Sequence, residues 1–199
     1  MKKILIAIPT FENILPDTFK SIYNLEIPEG YSCNFDFIKG YDCARARNEI
    51  AKKALKDNYD YILMVDSDMI IPNNTLIEML KDPKELCLGI YPRKNTSTEQ
   101  TECFKTGQKD YIDVYHYKDI DKMIGDYVEI KGGGLGCALI DTEVFSNIKF
   151  PYFKYVIYDS GAVLSEDNYF CSQLANANYK IFMNTNVQCG HSVRKFQWR

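Results

Sequence analysis

The sequence predicts an α/β protein: a mostly parallel central sheet flanked by helices, with a small additional β region. Three observations predict it. Short apolar runs alternate with stretches whose apolar residues recur at helical spacing. Proline, glycine and clustered Asn/Asp mark the changes between them. The order up to Ile90 is β-α-β-α-β-α-β, which sets helices on the faces of a parallel sheet.

Residues 3–9 form an isoleucine-rich run, read as a first buried strand. The opening MKKILIAIP has too short an apolar stretch for a leader, and it meets Pro9 with no cleavage site. Pro16 and Asp17 precede Phe19, Ile22, Tyr23 and Leu25, which share one helical face until Pro28 and Gly30 end it. Residues 34–38 alternate polar and apolar, a second strand. Residues 44–55 are strong helix formers. Tyr61–Val65 is a third buried strand, stopped by Asp66-Ser67-Asp68. Pro72-Asn73-Asn74 opens a helix through Leu80, and Leu86–Ile90 is a fourth strand.

Residues 95–126 are polar and rich in Thr, Tyr and Lys, an inserted flap with short strands expected at 111–117 and, just beyond it, at Tyr127–Ile130. Gly132, Gly133, Gly134 and Gly136 follow. Residues 142–147 read as a short helix, and 165–177 as a longer one with Ser165 as N-cap. Residues 181–182 and 187–189 are expected as closing edge strands. The whole, 1–199, reads as one domain with a tail at 192–199.

Composition narrows the function. Lys and Arg number 24 against 27 Asp and Glu, a net charge of −3, which argues against stable nucleic-acid binding. No apolar run approaches the ~20 residues of a membrane span. The seven cysteines are odd in number and include no CxxC pair. That fits free thiols in a reducing cytosol rather than a zinc or disulfide framework.

Ligands of such sheets bind beyond the carboxyl ends of the strands. Pro9-Thr10 and Asp66-Ser67-Asp68 both fall at such ends. Two carboxylates one residue apart can grip a hard divalent cation that in turn holds phosphate oxygens; a plain strand-end turn uses the same residues. Glu166-Asp167 stands at a helix start, where acids cap the helix or, facing a crevice, serve as a general base. His191 follows a short strand, and an imidazole can complete a two-Asp metal site. The glycine cluster permits close backbone approach but lacks the placement of a dinucleotide fingerprint. Arg45, Arg47 and Asn48 open the second helix, where an arginine works against the helix dipole.

In order, IAIPTFE, ARARNEIAKKAL, YDYILMVDSDMIIPNNTL, GGGLGCALIDTEVF and SEDNYFCSQLANANYKIFMNTNVQCGH resemble a GT-A-fold glycosyltransferase. The likeness is to the family-2-like enzymes of bacteria and phages, and it covers Lys3 to His191. It implies a metal-dependent hexosyltransferase-like enzyme. Such an enzyme moves a sugar from a nucleotide-diphosphate donor, UDP-linked by analogy, to an acceptor hydroxyl on a glycan, lipid or protein. Pro9, Thr10 and Glu12 would hold the nucleoside. Asp66-Ser67-Asp68 matches the DxD motif, with Asp68, Asp66 and His191 as ligands of Mn²⁺ or Mg²⁺. Gly133 and Gly134 would line the donor-sugar pocket, and Arg47 would approach the diphosphate. Glu166-Asp167 matches the ED motif, with Asp167 the base of an inverting reaction. One segment departs from the family: Ile38-Lys39-Gly40-Tyr41-Asp42 stands where many members carry a DDGS-like acidic stretch. The cytoplasm is the implied location, with a peripheral position at the membrane.

Two other classes compete. A DxD metal-dependent phosphatase would use Asp66 as nucleophile, but such motifs follow the first strand and carry Thr or Val where Ile70 stands. A non-catalytic sugar-nucleotide-binding module would keep the fold without DxD, ED and His together. The tail SVRKFQWR reads as a frayed terminus, then as a lid over the diphosphate.

Overall fold

The computed structural model describes residues 1–94, 99–105, 113–123, 125 and 127–192. Parts of the expected flap, the start of the strand expected at 111–117, and the tail beyond Ser192 lie outside the described residues.

The first half follows the expected alternation. Strand β1 (Lys2–Thr10), helix α1 (Pro16–Tyr23), β2 (Tyr31–Lys39), α2 (Cys43–Lys56) and β3 (Tyr61–Val65) come in turn. Asp42 caps α2 by accepting from the Arg45 amide at 3.0 Å. A two-residue strand β4 (Met69–Ile70), α3 (Thr75–Leu80) and β5 (Leu86–Ile90) follow. Beyond them come β6 (Gln100–Phe104), β7 (Val114–His116), the one-turn α4 (Tyr117–Ile120), β8 (Tyr127–Ile130), β9 (Gly132–Gly133) and β10 (Cys137–Asp141). A 3₁₀ turn spans Thr142–Ser146. The chain then runs through β11 (Val156–Ile157), β12 (Val163–Leu164), α5 (Glu166–Asn176), β13 (Ile181–Gln188) and β14 (Gly190–His191). Ser165 caps α5 by accepting from the Asn168 amide, as expected.

The main sheet has seven strands in the order β2-β1-β3-β10-β5-β13-β8. Strands β2, β1, β3, β5 and β13 run one way; β10 and β8 run against them. Two placements differ from the sequence reading. Strand β10, where the sequence reading had no strand, is central, pairing β3 on one side and β5 on the other. The segments expected as two edge strands are one strand, β13, flanked by β5 and β8. Its polar middle is satisfied in the interior: the Asn184 amide donates to the Glu78 carbonyl at 3.1 Å, and the Thr185 hydroxyl to the Met123 carbonyl at 2.8 Å. The described part of the flap, β6 and β7, forms a small sheet with β9 in the order β7-β6-β9.

Strand residues alternate between two cores. Leu5, Ala7, Ile62, Met64, Leu88 and Ala138 meet α2 and α5 through Ile50, Ala51, Phe170 and Leu174. Ile4, Ile6, Ile8, Leu63 and Leu139 meet α1 and α3 through Ile22, Leu76 and Met79.

The glycine cluster is a packing device. Buried Tyr91 lies against it, and its hydroxyl accepts from the Gly136 amide at 3.0 Å. A Cβ on Gly134 would collide with that hydroxyl, and one on Gly133 would lie 2.6 Å from the Glu102 carbonyl oxygen. Gly134→Ala therefore costs about 1–3 kcal/mol in chemical denaturation, as overpacking does. Adding Tyr91→Phe recovers part of that loss. It recovers nothing for Gly133→Ala, whose obstacles are the Glu102 carbonyl and the Leu88 side chain.

Candidate active site

Parallel strands bring their carboxyl ends to one edge, and the helices that follow begin there. The end of β1, the turn after β3, the residues after β5 and those after β13 meet at this edge. Antiparallel β10 starts there, so the glycine segment that feeds it arrives too: the Asp66 amide donates to the Gly136 carbonyl at 2.9 Å.

Arg47, on the second turn of α2, lies beneath this edge with 1 % of its side chain exposed. Its Nη2 donates to Asp66 Oδ1 at 3.0 Å. Its Nη1 donates to Glu166 Oε1 at 2.7 Å and also to Asp167 Oδ1. One buried cation thus holds three carboxylates from the end of β3 and the first turn of α5. Arg47, expected to approach a diphosphate, is instead found enclosed by these three carboxylates. Burial pushes the Asp167 carboxyl above the usual carboxylate range; Arg47 opposes this, and the Glu166 and Asp66 charges add to it. Asp167 keeps 21 % exposure, and its Oδ2 has a long 3.4 Å contact from the Leu135 amide.

Asp66-Ser67-Asp68 is a tight turn closed by the Met69 amide donating to the Asp66 carbonyl. The next residues, β4, pair with β14, setting His191 opposite Met69. This pairing brings His191 Nε2 to 3.6 Å from Asp68 Oδ1. The Pro92 carbonyl accepts from His191 Nδ1 at 2.9 Å, so neutral His191 presents the Nε2 lone pair towards Asp68. Burial would lower the His191 pKa, but the facing Asp68 carboxylate and the Pro92 carbonyl raise it overall. Lys94 Nζ lies 2.7 Å from the other oxygen, Asp68 Oδ2. Burial would raise the Asp68 carboxyl, yet the facing His191 and the Lys94 ammonium hold it at about 2.

The three expected metal ligands therefore divide. Asp68 and His191 face each other, whereas Asp66 turns its Oδ1 to Arg47. Among the described residues no group of three or more His, Cys, Asp or Glu side chains converges as a metal site.

A cleft of about 480 Å³ opens between the loop after β1 and this turn. Thr10, Glu12, Ser67 and Asp68 line it, together with Phe11, Lys94 and Ser192. The Thr10 hydroxyl donates to the Asn13 carbonyl at 2.7 Å and holds the loop. Pro9, Gly133 and Gly134, the other residues expected near the donor, are buried and do not line this cleft. Lys94 was not among the expected site residues. Its signal was the one that marked Asp66: a charged residue just past the end of a buried strand.

Arg47→Met leaves three carboxylates without their cation. Unfolding in urea is expected to show a loss of about 3–5 kcal/mol at pH 8, the usual cost of breaking a buried ion pair. A carboxyl raised in the fold binds more protons there than when unfolded, so its contribution falls as pH rises. The deficit therefore shrinks between pH 8 and pH 5, as protonation removes the unpaired charge.

No protein-family model matches the chain, and no curated protein matches it in sequence. Solved structures do match. A197 from STIV superposes with a TM-score of 0.64 at 16 % identity, covering 98 % of this chain and 87 % of that one. S. aureus TarS 1-349 in complex with UDP-GlcNAc gives 0.57 at 13 % identity over 99 % of this chain, which spans 60 % of the TarS chain. A Drosophila β1,4-galactosyltransferase 7 mutant in complex with manganese, UDP-Gal and xylobiose gives 0.55 at 18 % identity, covering 98 % and 72 % of the two chains. With its mixed seven-stranded sheet and flanking helices, the chain shares the GT-A fold of these structures.

Proposed function

We propose that this chain is an inverting glycosyltransferase that moves a sugar from a nucleotide-diphosphate donor to an acceptor hydroxyl. The observation that carries the reading is the Arg47 cluster, which holds Asp167 beside the Asp66-Ser67-Asp68 turn. The guanidinium thereby ties the candidate base to the turn that carries the candidate donor grip.

Each residue has a task. Thr10, Phe11 and Glu12 receive the nucleoside in the cleft, and Ser67 lies along it. Asp68 and His191 would hold Mn²⁺ or Mg²⁺. Their facing atoms are 3.6 Å apart and the Nε2 lone pair is free, which fits two ligands of one hard cation whose other ligands are phosphate oxygens. Manganese accompanies UDP-Gal in the Drosophila complex. Such an ion would supply charge stabilisation to a departing diphosphate. Asp167 takes the acceptor proton on Oδ2, the oxygen not committed to Arg47, and Glu166 and Asp66 stay fixed through the same guanidinium. The acceptor is a glycan, lipid or protein hydroxyl, and the donor is UDP-linked by analogy with these neighbours. We read the chain as one catalytic domain acting in the cytoplasm. Among the described residues no helix is long and apolar enough to cross a membrane. A phosphatase would need Asp66 as nucleophile, and that carboxylate is tied to Arg47.

Calorimetry with a panel of nucleoside diphosphates, with Mn²⁺ and with EDTA, tests the reading. Metal-dependent binding of one nucleotide is expected, and Asp68→Ala abolishes it. Asp167→Asn keeps that binding and lowers turnover by ~100-fold or more, the scale of a lost general base. If no nucleotide binds under either metal condition, the assignment fails.

A further inference from the structure

Lys94 stands on the cleft wall just past β5, with 48 % of its side chain exposed. The other charged side chains lining the cleft, Glu12 and Asp68, are acidic. Arg47 is enclosed by its three carboxylates and has no face towards the cleft. Among the described lining residues, Lys94 is thus the one cation a polyanionic ligand meets. It is already engaged, at 2.7 Å from Asp68 Oδ2.

That engagement is loose. Both partners keep contact with water, at 48 % and 26 % exposure, and pairs of this kind add little stability. The backbone under Lys94 is anchored instead. The Arg93 amide donates to the Gln100 carbonyl at 2.9 Å, and Pro92 bridges to Thr101. A fixed backbone carrying a long, flexible ammonium side chain can move its charge without moving the loop.

We propose that Lys94 is an exchangeable counter-ion. It neutralises Asp68 while the cleft holds no donor, and it passes to the donor's diphosphate oxygens when a divalent cation takes its place on Asp68. The assignment rests on the nucleotide-sugar reading for its ligand. It adds a residue that binds the leaving group and couples cation binding to diphosphate binding. Two charges that oppose each other's access to Asp68 then both act on the same polyanion.

Lys94→Met tests this with two probes that need no nucleoside. Free Mn²⁺ is followed by electron paramagnetic resonance, and inorganic pyrophosphate with Mn²⁺ by calorimetry. The variant is expected to bind Mn²⁺ alone several-fold more tightly, because Asp68 has lost its competitor. It is expected to bind pyrophosphate roughly tenfold more weakly, the scale of one lost charge-assisted hydrogen bond. Lys94→Arg restores the pyrophosphate affinity. Thermal melts of both variants should match the wild type, since the side chain is exposed. Unchanged affinity for both probes, weaker Mn²⁺ binding in Lys94→Met, or no binding of either probe by the wild type would overturn the proposal. If the probes respond as expected while no nucleoside diphosphate binds the wild type, the counter-ion role stands and the nucleotide-sugar reading falls.

Discussion

The site depends on one buried guanidinium. Arg47 could not remain beneath the sheet edge without partners, because a buried charge must be compensated. Its partners come from places far apart in the chain: Asp66 ends β3, and Glu166 and Asp167 begin α5, 119 and 120 residues beyond Arg47. Satisfying that cation fixes α2, β3 and α5 relative to one another. It also divides the labour of the acidic residues. Asp66 is drawn down to Arg47, while Asp68 remains at the cleft.

The second constraint is packing around Tyr91. Its ring fills space that side chains at Gly134 and Gly136 would need, and its hydroxyl accepts from the Gly136 amide. The same ring meets His191 edge-on at 5.4 Å, and the neighbouring Pro92 carbonyl sets the imidazole's orientation. The glycines therefore act on the site indirectly. They let Tyr91 approach, and Tyr91 with Pro92 positions the histidine that faces Asp68.

Charge is unevenly spread over this edge. The buried layer holds one cation against three carboxylates, and burial, helped by the Glu166 and Asp66 charges and opposed by Arg47, keeps Asp167 above the usual carboxylate range. The cleft layer holds Asp68 between His191 and Lys94, and its carboxyl lies well below that range. Two acids near one crevice thus have opposite tendencies, one to keep a proton and one to shed it. Environments that push two pKa values apart in this way suit one acid to proton transfer and the other to cation binding.

Much of this was legible in the sequence, because local signals are strong where they are local. The isoleucine run of β1, the YILMV of β3, the capping Ser165 and the polar stop at Asp66-Ser67-Asp68 depend on periodicity and turn chemistry within a few residues. Those signals determined the order of the first elements and marked Asp66, Asp68, Asp167 and His191 as candidates. The tertiary structure alone decided the rest. The five residues of β10 could be placed between β3 and β5 only by pairing with both, and β13 runs through its polar middle because Glu78 and Met123 receive its side chains. Which carboxylate meets Arg47 and which meets His191 and Lys94 is likewise a matter of long-range neighbours. A charged side chain takes its role from the partner that compensates it, and in this chain those partners are brought together by the sheet, not by the sequence around them.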